Sequence, residues 1–249
     1  TSFATSKDET RYILSGVLFN VEKKLSSDAP SSNYTLKVVA TDGRRLSYIE
    51  RDVEITDKST FTKASAIIPS KCVNEIVRLL PYMEKEEVEN VKIGITENQI
   101  GFSFIVDSKQ ITTVLSRVIS GNFPNYEQVI PKTAESKVKL PTDEFLDITK
   151  RAQLCSIERG GQVKYIFEKG LLKIHAAQAG LIEFKEEIDV DYKGQNFEIA
   201  FNPEYILDIL KVVDSDKILI EMNSSLQPAV IRPINDEKFL YVVMPMKVS

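Results

Sequence analysis

Residues 66–104 read AIIPSKCVNEIVRLLPYMEKEEVENVKIGITENQIGFSF, and residues 198–234 read EIAFNPEYILDILKVVDSDKILIEMNSSLQPAVIRPI. Each passes in the same order through an apolar strand, a proline, an amphipathic helix, an acidic connector, a strand, a turn and a second strand. Pro69 and Pro203 hold the same place, where a first helical residue has no intrahelical hydrogen bond to lose. Val73, Ile76, Val77 and Leu80 repeat at the helical period over Ser70–Met83. Ile206, Ile209, Leu210 and Val213 do so over Pro203–Val213. One supersecondary unit met twice in one order marks a repeated domain.

Working outward, Tyr34–Val53 (strand, short loop, strand) matches Leu171–Val190. Period-two alternation dominates the rest: Val91, Ile93 and Ile95 against Ile100, Phe102, Phe104 and Val106, then Val163, Tyr165 and Phe167 against Leu172, Ile174 and Ala176. These are half-buried antiparallel hairpins. Lys238–Met246 is expected as a final strand. The second copy opens with a strand at Lys137–Leu140 and a helix at Thr142–Ser156, with Asp143 and Glu144 in its first turn. The first copy has no counterpart to either, so an apolar face of it should be partly bare, and a chain starting at Thr1 reads as an excised fragment. The polar Leu25–Thr35 insert reads as a long surface loop. Two domains are expected, residues 1–132 and 133–249, joined near Pro131–Ser136.

Hydrophobic residues are 43% and charged residues 27% of the chain, the balance of a globular protein. No apolar run has the ~20 residues of a membrane span. Cys72 and Cys155 are too few for a disulfide framework and read as buried free thiols in helices, which suits a reducing cytoplasm. The net charge is −4. A protein that grips nucleic acid by bulk electrostatics is basic, so a DNA partner would be held by a local basic stripe or by topology.

Four segments carry a resemblance to a known family: Val39-Ala40-Thr41-Asp42-Gly43-Arg44-Arg45-Leu46, Gly121-Asn122-Phe123-Pro124-Asn125-Tyr126, Phe201-Asn202 with Tyr205–Leu210, and the closing Tyr241-Val242-Val243-Met244-Pro245-Met246. Together they resemble the bacterial DNA polymerase III beta subunits, the beta sliding clamps, over the whole chain and in order. The family chain has three copies of one domain, and this sequence is similar to most of the second and to the third. The resemblance implies an α+β fold: two tandem copies of the sliding-clamp (DNA clamp) domain, antiparallel sheets outside and short helices lining the inner face.

In that family the C-terminal segment walls a pocket that accepts short linear peptides. Carried over, the deep part comprises Leu14, Thr41, Gly43, Arg44, Leu46, Pro124, Val129, Val242 and Met244, and a shallower part uses Asn202, Tyr205, Pro245 and Met246, with Val243 a further peptide-binding residue. Leu, Val and Met suit a Leu-Phe pair, Gly43 permits close backbone approach, and Asn202 offers polar groups to an extended peptide. Arg44 stands where the family often has His, and Gln128 where it often has Arg, which bears on peptide preference. Without the resemblance, the apolar C-terminus reads equally as an ordinary edge strand.

Lys71 and Arg78 lie two turns apart on one helix, Lys150 and Arg151 end another, and Lys211 closes the third. Any one of them reads first as a solvated face. With Arg11 and Tyr12, the resemblance implies weak phosphate contact in a pore without base reading, diluted by Glu75, Asp147 and Asp208. It also implies a full-length homodimer ring around duplex DNA, with the third-domain edge at Leu154 and Cys155. This fragment should be a monomer. The implied partners are the DNA polymerase III alpha subunit, the clamp loader and other clamp-motif proteins. No cofactor or metal is expected.

His175, the one histidine, lies in a strand and reads as structural. Asp42-Gly43 is first a tight-turn signal, and no ligand spacing, phosphate loop or nucleophile elbow occurs. An enzyme using Asp42, Arg44 and His175 would need all three within hydrogen-bond reach. The other rival is a β-rich protein-interaction scaffold without a DNA role.

Overall fold

The computed structural model describes residues 9–24, 34–56, 62–156, 161–178 and 182–247. Most of the insert at 25–35 lies outside them. The chain divides into two compact units, one of residues 2–43 and 48–124, the other of residues 44–47 and 125–249.

The first unit opens with a 3-10 turn, Glu9–Ser15. Four strands follow: β1 (Gly16–Lys23), β2 (Tyr34–Thr41), β3 (Arg45–Val53) and β4 (Lys63–Pro69), in the order β4-β1-β2-β3. Helix α1 (Ser70–Lys85) starts directly after Pro69, with no side-chain cap. Its Pro81 lacks an N–H, and the helix continues past it for one further turn. A meander of β5 (Asn90–Ile95), β6 (Gln99–Val106) and β7 (Lys109–Arg117) completes the unit.

The core of this unit gathers Ile68, Cys72, Met83, Ile100, Phe102 and Phe104, with Val73, Ile76 and Leu79 of α1 against it. Phe19 meets Phe102 edge to face at 5.8 Å, an arrangement that aromatic quadrupoles favour. Burial of the Cys72 thiol pushes its pKa up.

The second unit repeats the plan and adds to it. It runs β8 (Ser136–Pro141), α2 (Thr142–Leu154), β9 (Val163–Glu168), β10 (Leu171–Gln178), β11 (Ile182–Asp189), β12 (Phe197–Phe201), α3 (Pro203–Leu210), β13 (Lys217–Met222), β14 (Ala229–Pro233) and β15 (Phe239–Val243). One sheet is ordered β11-β10-β9-β12, which matches β3-β2-β1-β4 strand for strand; β8-β13-β14-β15 extends the pattern of β5-β6-β7 by one strand. Tyr165, Phe145, Phe167, Leu140, Ile174 and Ile199 are fully buried between these layers, and α2 packs on α3.

That extra strand and helix change what is covered. In β13, Ile218 and Ile220 are 0% and 3% exposed, with β8 on one side and β14 on the other. In β5, Val91 and Ile93 are 47% and 37% exposed, and among the described residues β5 has β6 alone as neighbour. A cleft of about 320 Å³ opens there between Leu80, Met83, Val88, Val91 and Phe104.

Three expected boundaries move. Helix α3 ends at Leu210, not Val213. Val212 and Val213 both donate to the Ile209 carbonyl from a closing turn, and Val213 packs on the core from there. The helical period therefore outlasts the helix. The last strand stops at Val243 rather than running to Met246, because the chain turns aside. Met244 N–H donates to Arg44 O at 2.9 Å, and Met246 N–H to Ala200 O at 2.7 Å. Cys155 lies just past α2 and is half-buried, not buried within a helix.

Candidate functional site

The second unit assembles a mixed apolar and cationic surface at the start of α3. Asn202 caps this helix: its side-chain oxygen accepts from Glu204 N–H at 2.9 Å. The cap uses one acceptor position of that oxygen and leaves both amide hydrogens for a ligand. The cap and Pro203 set the helix start, and helical spacing brings Tyr205 and Asp208 onto one face.

Arg45 closes over that face. Its guanidinium carbon lies 4.4 Å from the centroid of the Tyr205 ring, and its Nη1 donates to Asp208 Oδ2 at 2.5 Å. One planar cation thus satisfies a carboxylate and covers an aromatic face at once, which a lysine could not do. Arg45 and Asp208 expose only 12% and 30% of their side chains, so the pair is shielded enough to hold Tyr205 in place.

The residues carried over for peptide docking divide by environment. Met244 is 40% exposed, and Pro245 and Met246 are half-buried. Val242 and Val243 are buried, Val243 within the core. Leu46 is buried and Arg44 exposed, both in the same unit as Met244. Gln128 and Val129 are exposed on a 3-10 turn, Tyr126–Val129, whose start is capped by the Asn125 side chain accepting from Glu127 N–H at 3.2 Å.

Four more belong to the first unit: Leu14 and Thr41 are half-buried, and Gly43 and Pro124 exposed. Gly43 has φ 84°, a left-handed conformation that any side chain would strain. The Thr41 hydroxyl accepts from its N–H at 3.1 Å. The glycine is therefore required by the turn itself.

Three cations of the proposed basic stripe are engaged within the protein. Arg78 pairs with Glu75 at 2.9 Å, Lys150 with Asp147 at 2.9 Å, and Arg151 with Glu186 at 2.5 Å. These pairs hold the Asp147 and Glu186 carboxyls below their usual range, through the bonds from Lys150 and Arg151. Lys71 and Lys211 are exposed without an ion pair among the described residues. Tyr12 is 59% exposed, and the side chain of Arg11 lies outside the described residues. Leu154 is 64% exposed at the end of α2, beside half-buried Cys155.

His175 sits on β10 opposite Lys185 of β11 and Lys164 of β9, half-buried. Among the described residues no group of three His, Cys, Asp or Glu side chains could hold a metal ion. No described helix is long and apolar enough to cross a membrane.

Reading the sequence alone missed Arg45, which adjoins Arg44 and looks identical to it. Its partner Asp208 comes from α3, far along the chain, so no local pattern separates the two arginines.

Comparison with known proteins closes the matter of kinship. The family model of the DNA polymerase III beta subunit central domain matches residues 1–125, and that of its C-terminal domain matches residues 127–247. The chain is 31% identical over 247 residues to the beta sliding clamp of Pseudomonas aeruginosa and 33% identical to that of Chlamydia trachomatis. It covers 99% of its own length in both, and 61% and 53% of theirs. The chain thus spans a little over half the length of these relatives. Among solved structures, the P. aeruginosa sliding clamp bound to griselimycin is similar with TM-score 0.83 and 29% identity, covering 99% of this chain and 60% of that one. The Bartonella birtlesii clamp bound to griselimycin gives 0.82 and 31%, covering 98% and 61%. Matched end to end by two consecutive domain models in their family order, the chain belongs to the DNA polymerase III beta subunit, or beta sliding clamp, family.

Proposed function

We propose that this chain acts as part of a DNA polymerase processivity clamp: a ring that encircles duplex DNA and tethers polymerase and other partners through their linear peptide motifs. Family membership supports the reading, and the observation that carries it within this chain is the Arg45–Tyr205 stack at the start of α3, with Met244 and Met246 anchored by backbone bonds to Arg44 and Ala200. These residues offer a rigid aromatic, a planar cation and two adaptable thioethers, the chemistry that accepts an extended apolar motif. Leu14, Thr41, Gly43, Leu46, Pro124, Gln128, Val129, Val242 and Val243 are the further docking residues of this reading. Arg44 replaces the frequent His and tunes peptide preference.

DNA is held by topology rather than affinity. That accords with a net charge of −4 and with Arg78, Lys150 and Arg151 already paired to carboxylates. Lys71 and Lys211 are then the phosphate contacts. The function needs no catalysis, takes place in the cytoplasm, and uses the edge at Leu154 and Cys155 for ring closure.

The test is a fluorescence-anisotropy titration with a labelled Gln-Leu-x-Leu-Phe peptide. Saturable binding of micromolar order (about −8 kcal/mol), weakened by both Tyr205→Ala and Met244→Ala, supports docking. Absence of binding by a folded sample removes it.

The paired cations favour a second reading, a protein-interaction scaffold without a DNA role. In this reading, the full-length protein retains peptide binding but is retained on circular duplex no better than on linear duplex.

A further inference from the structure

A small cavity of about 90 Å³ lies in the second unit, walled by residues 131–134 on one side and by Lys137, Glu221, Val230 and Arg232 on the other. Three cations, Lys132, Lys137 and Arg232, face one carboxylate around it. Glu221 is saturated: Oε1 takes Lys137 at 2.6 Å and Oε2 takes Arg232 at 2.6 Å. Its side chain is 11% exposed, so it fixes the two cations rather than serving a ligand.

Donor capacity is left over on every cation. The Nε of Arg232 is shielded from solvent and bonded to nothing in the protein, although a buried guanidinium N–H ordinarily finds an acceptor. Lys137 retains two of its three ammonium hydrogens beyond Glu221. Lys132 has no ion pair among the described residues.

The wall is also built rather than incidental. Asn223 pins the 133–135 segment from both sides, its amide donating to Thr133 O and its oxygen accepting from Glu135 N–H, each at 2.9 Å. An excess of positive charge with unused donors, in a space of about three liquid waters at ~30 Å³ each, suits a compact multi-oxygen anion.

We propose that this cavity is a binding site for a phosphate-sized oxyanion, held by Lys132, Lys137 and Arg232 and distinct from the peptide-docking face. The anion accepts from the free N–H groups of all three, charge-assisted bonds that favour tetrahedral oxygens over a spherical halide. The site does not depend on the clamp reading and stands or falls separately from it.

The test is an NMR titration of the isotopically labelled chain with sodium phosphate, at ionic strength matched with sodium chloride. Saturable amide shifts centred on Lys132–Ala134 and Arg232, absent in the chloride series, are expected. Lys132→Ala removes an exposed, unpaired cation without disturbing Glu221, and should weaken binding about tenfold. Arg232→Lys keeps the charge but removes the Nε donor, and should weaken it as well while Glu221 stays paired. Non-saturating shifts, shifts equal in chloride, or unchanged affinity in folded Lys132→Ala would each overturn the proposal.

Discussion

The Arg45 guanidinium stands 4.4 Å over the Tyr205 ring while bonded to Asp208, one helical turn further along α3. Tyr205 is therefore presented to solvent from a fixed position. Arg45→Met keeps stem packing but loses both interactions, together about 1–2 kcal/mol. It should raise the peptide dissociation constant severalfold in an anisotropy titration and lower the thermal midpoint by a few degrees. Tyr205→Phe keeps the stacked ring and should bind nearly as tightly as the parent; a large loss there would mean the hydroxyl, not the ring, makes the contact.

The β6–β7 hairpin turns on Asp107 and Ser108, whose φ angles are 46° and 63°. Left-handed φ at both central residues is the requirement of a tight two-residue hairpin, met best by Asn-Gly. The double substitution Asp107→Asn, Ser108→Gly relieves left-handed strain of about 1–2 kcal/mol per residue, partly offset by glycine's entropy, and should stabilise the first unit by about 0.5–1 kcal/mol. Chemical denaturation would show the midpoint rising at constant slope.

Glu22 joins two lysines of the first unit's sheet, Lys37 at 2.8 Å and Lys63 at 3.1 Å, and accepts from Asn20. The Lys37 bond, aided by Asn20 and Lys63, draws its pKa down from 4.5 to about 2. A depressed carboxyl contributes stability that is whole above pH 4.5 and lost as pH falls towards 2. The side chain is 31% exposed, so solvent screening leaves about 1 kcal/mol of this. In Glu22→Gln, stability between pH 5 and pH 2 should fall less steeply than in the parent, measured by urea titration at each pH.

The two meanders should exchange hydrogen at different rates. Strand β13 is buried and paired on both sides, whereas β5 has one partner and exposed valine and isoleucine. Native-state exchange should show the β5 amides opening at lower free energy than those of β13. Leu80→Ala, at a half-exposed position, should cost under about 1 kcal/mol, against about 2–5 kcal/mol for Leu207→Ala in the core.

Much of this fold is legible because its strands and helices keep clean periods. Phe102 and Phe104 alternate to one face, Val73 and Ile76 recur at helical spacing, and Pro69 and Pro203 announce two helix starts. The structure departs from these periods where local pattern and tertiary contact part. Val213 keeps the helical period from within a turn, and Pro245 stands in an apolar run that reads as strand but leaves the sheet. Charge pairing was half visible: Arg78 and Lys150 have acidic partners three residues before them, but Arg151 meets Glu186 across thirty-five positions. Nothing local told Arg45 from Arg44, and nothing brought Lys137, Glu221 and Arg232 together, since their union depends on strand register.

Burial of Cys72 gives the molecule its own clock. A thiol shielded by the first unit's core, and held protonated by that burial, reacts with an alkylating reagent only during moments when the unit opens. Cys155, half-buried past the end of α2, reacts without waiting and serves as the internal reference. The ratio of the two labelling rates reads how often the first unit breathes, with no residue substituted.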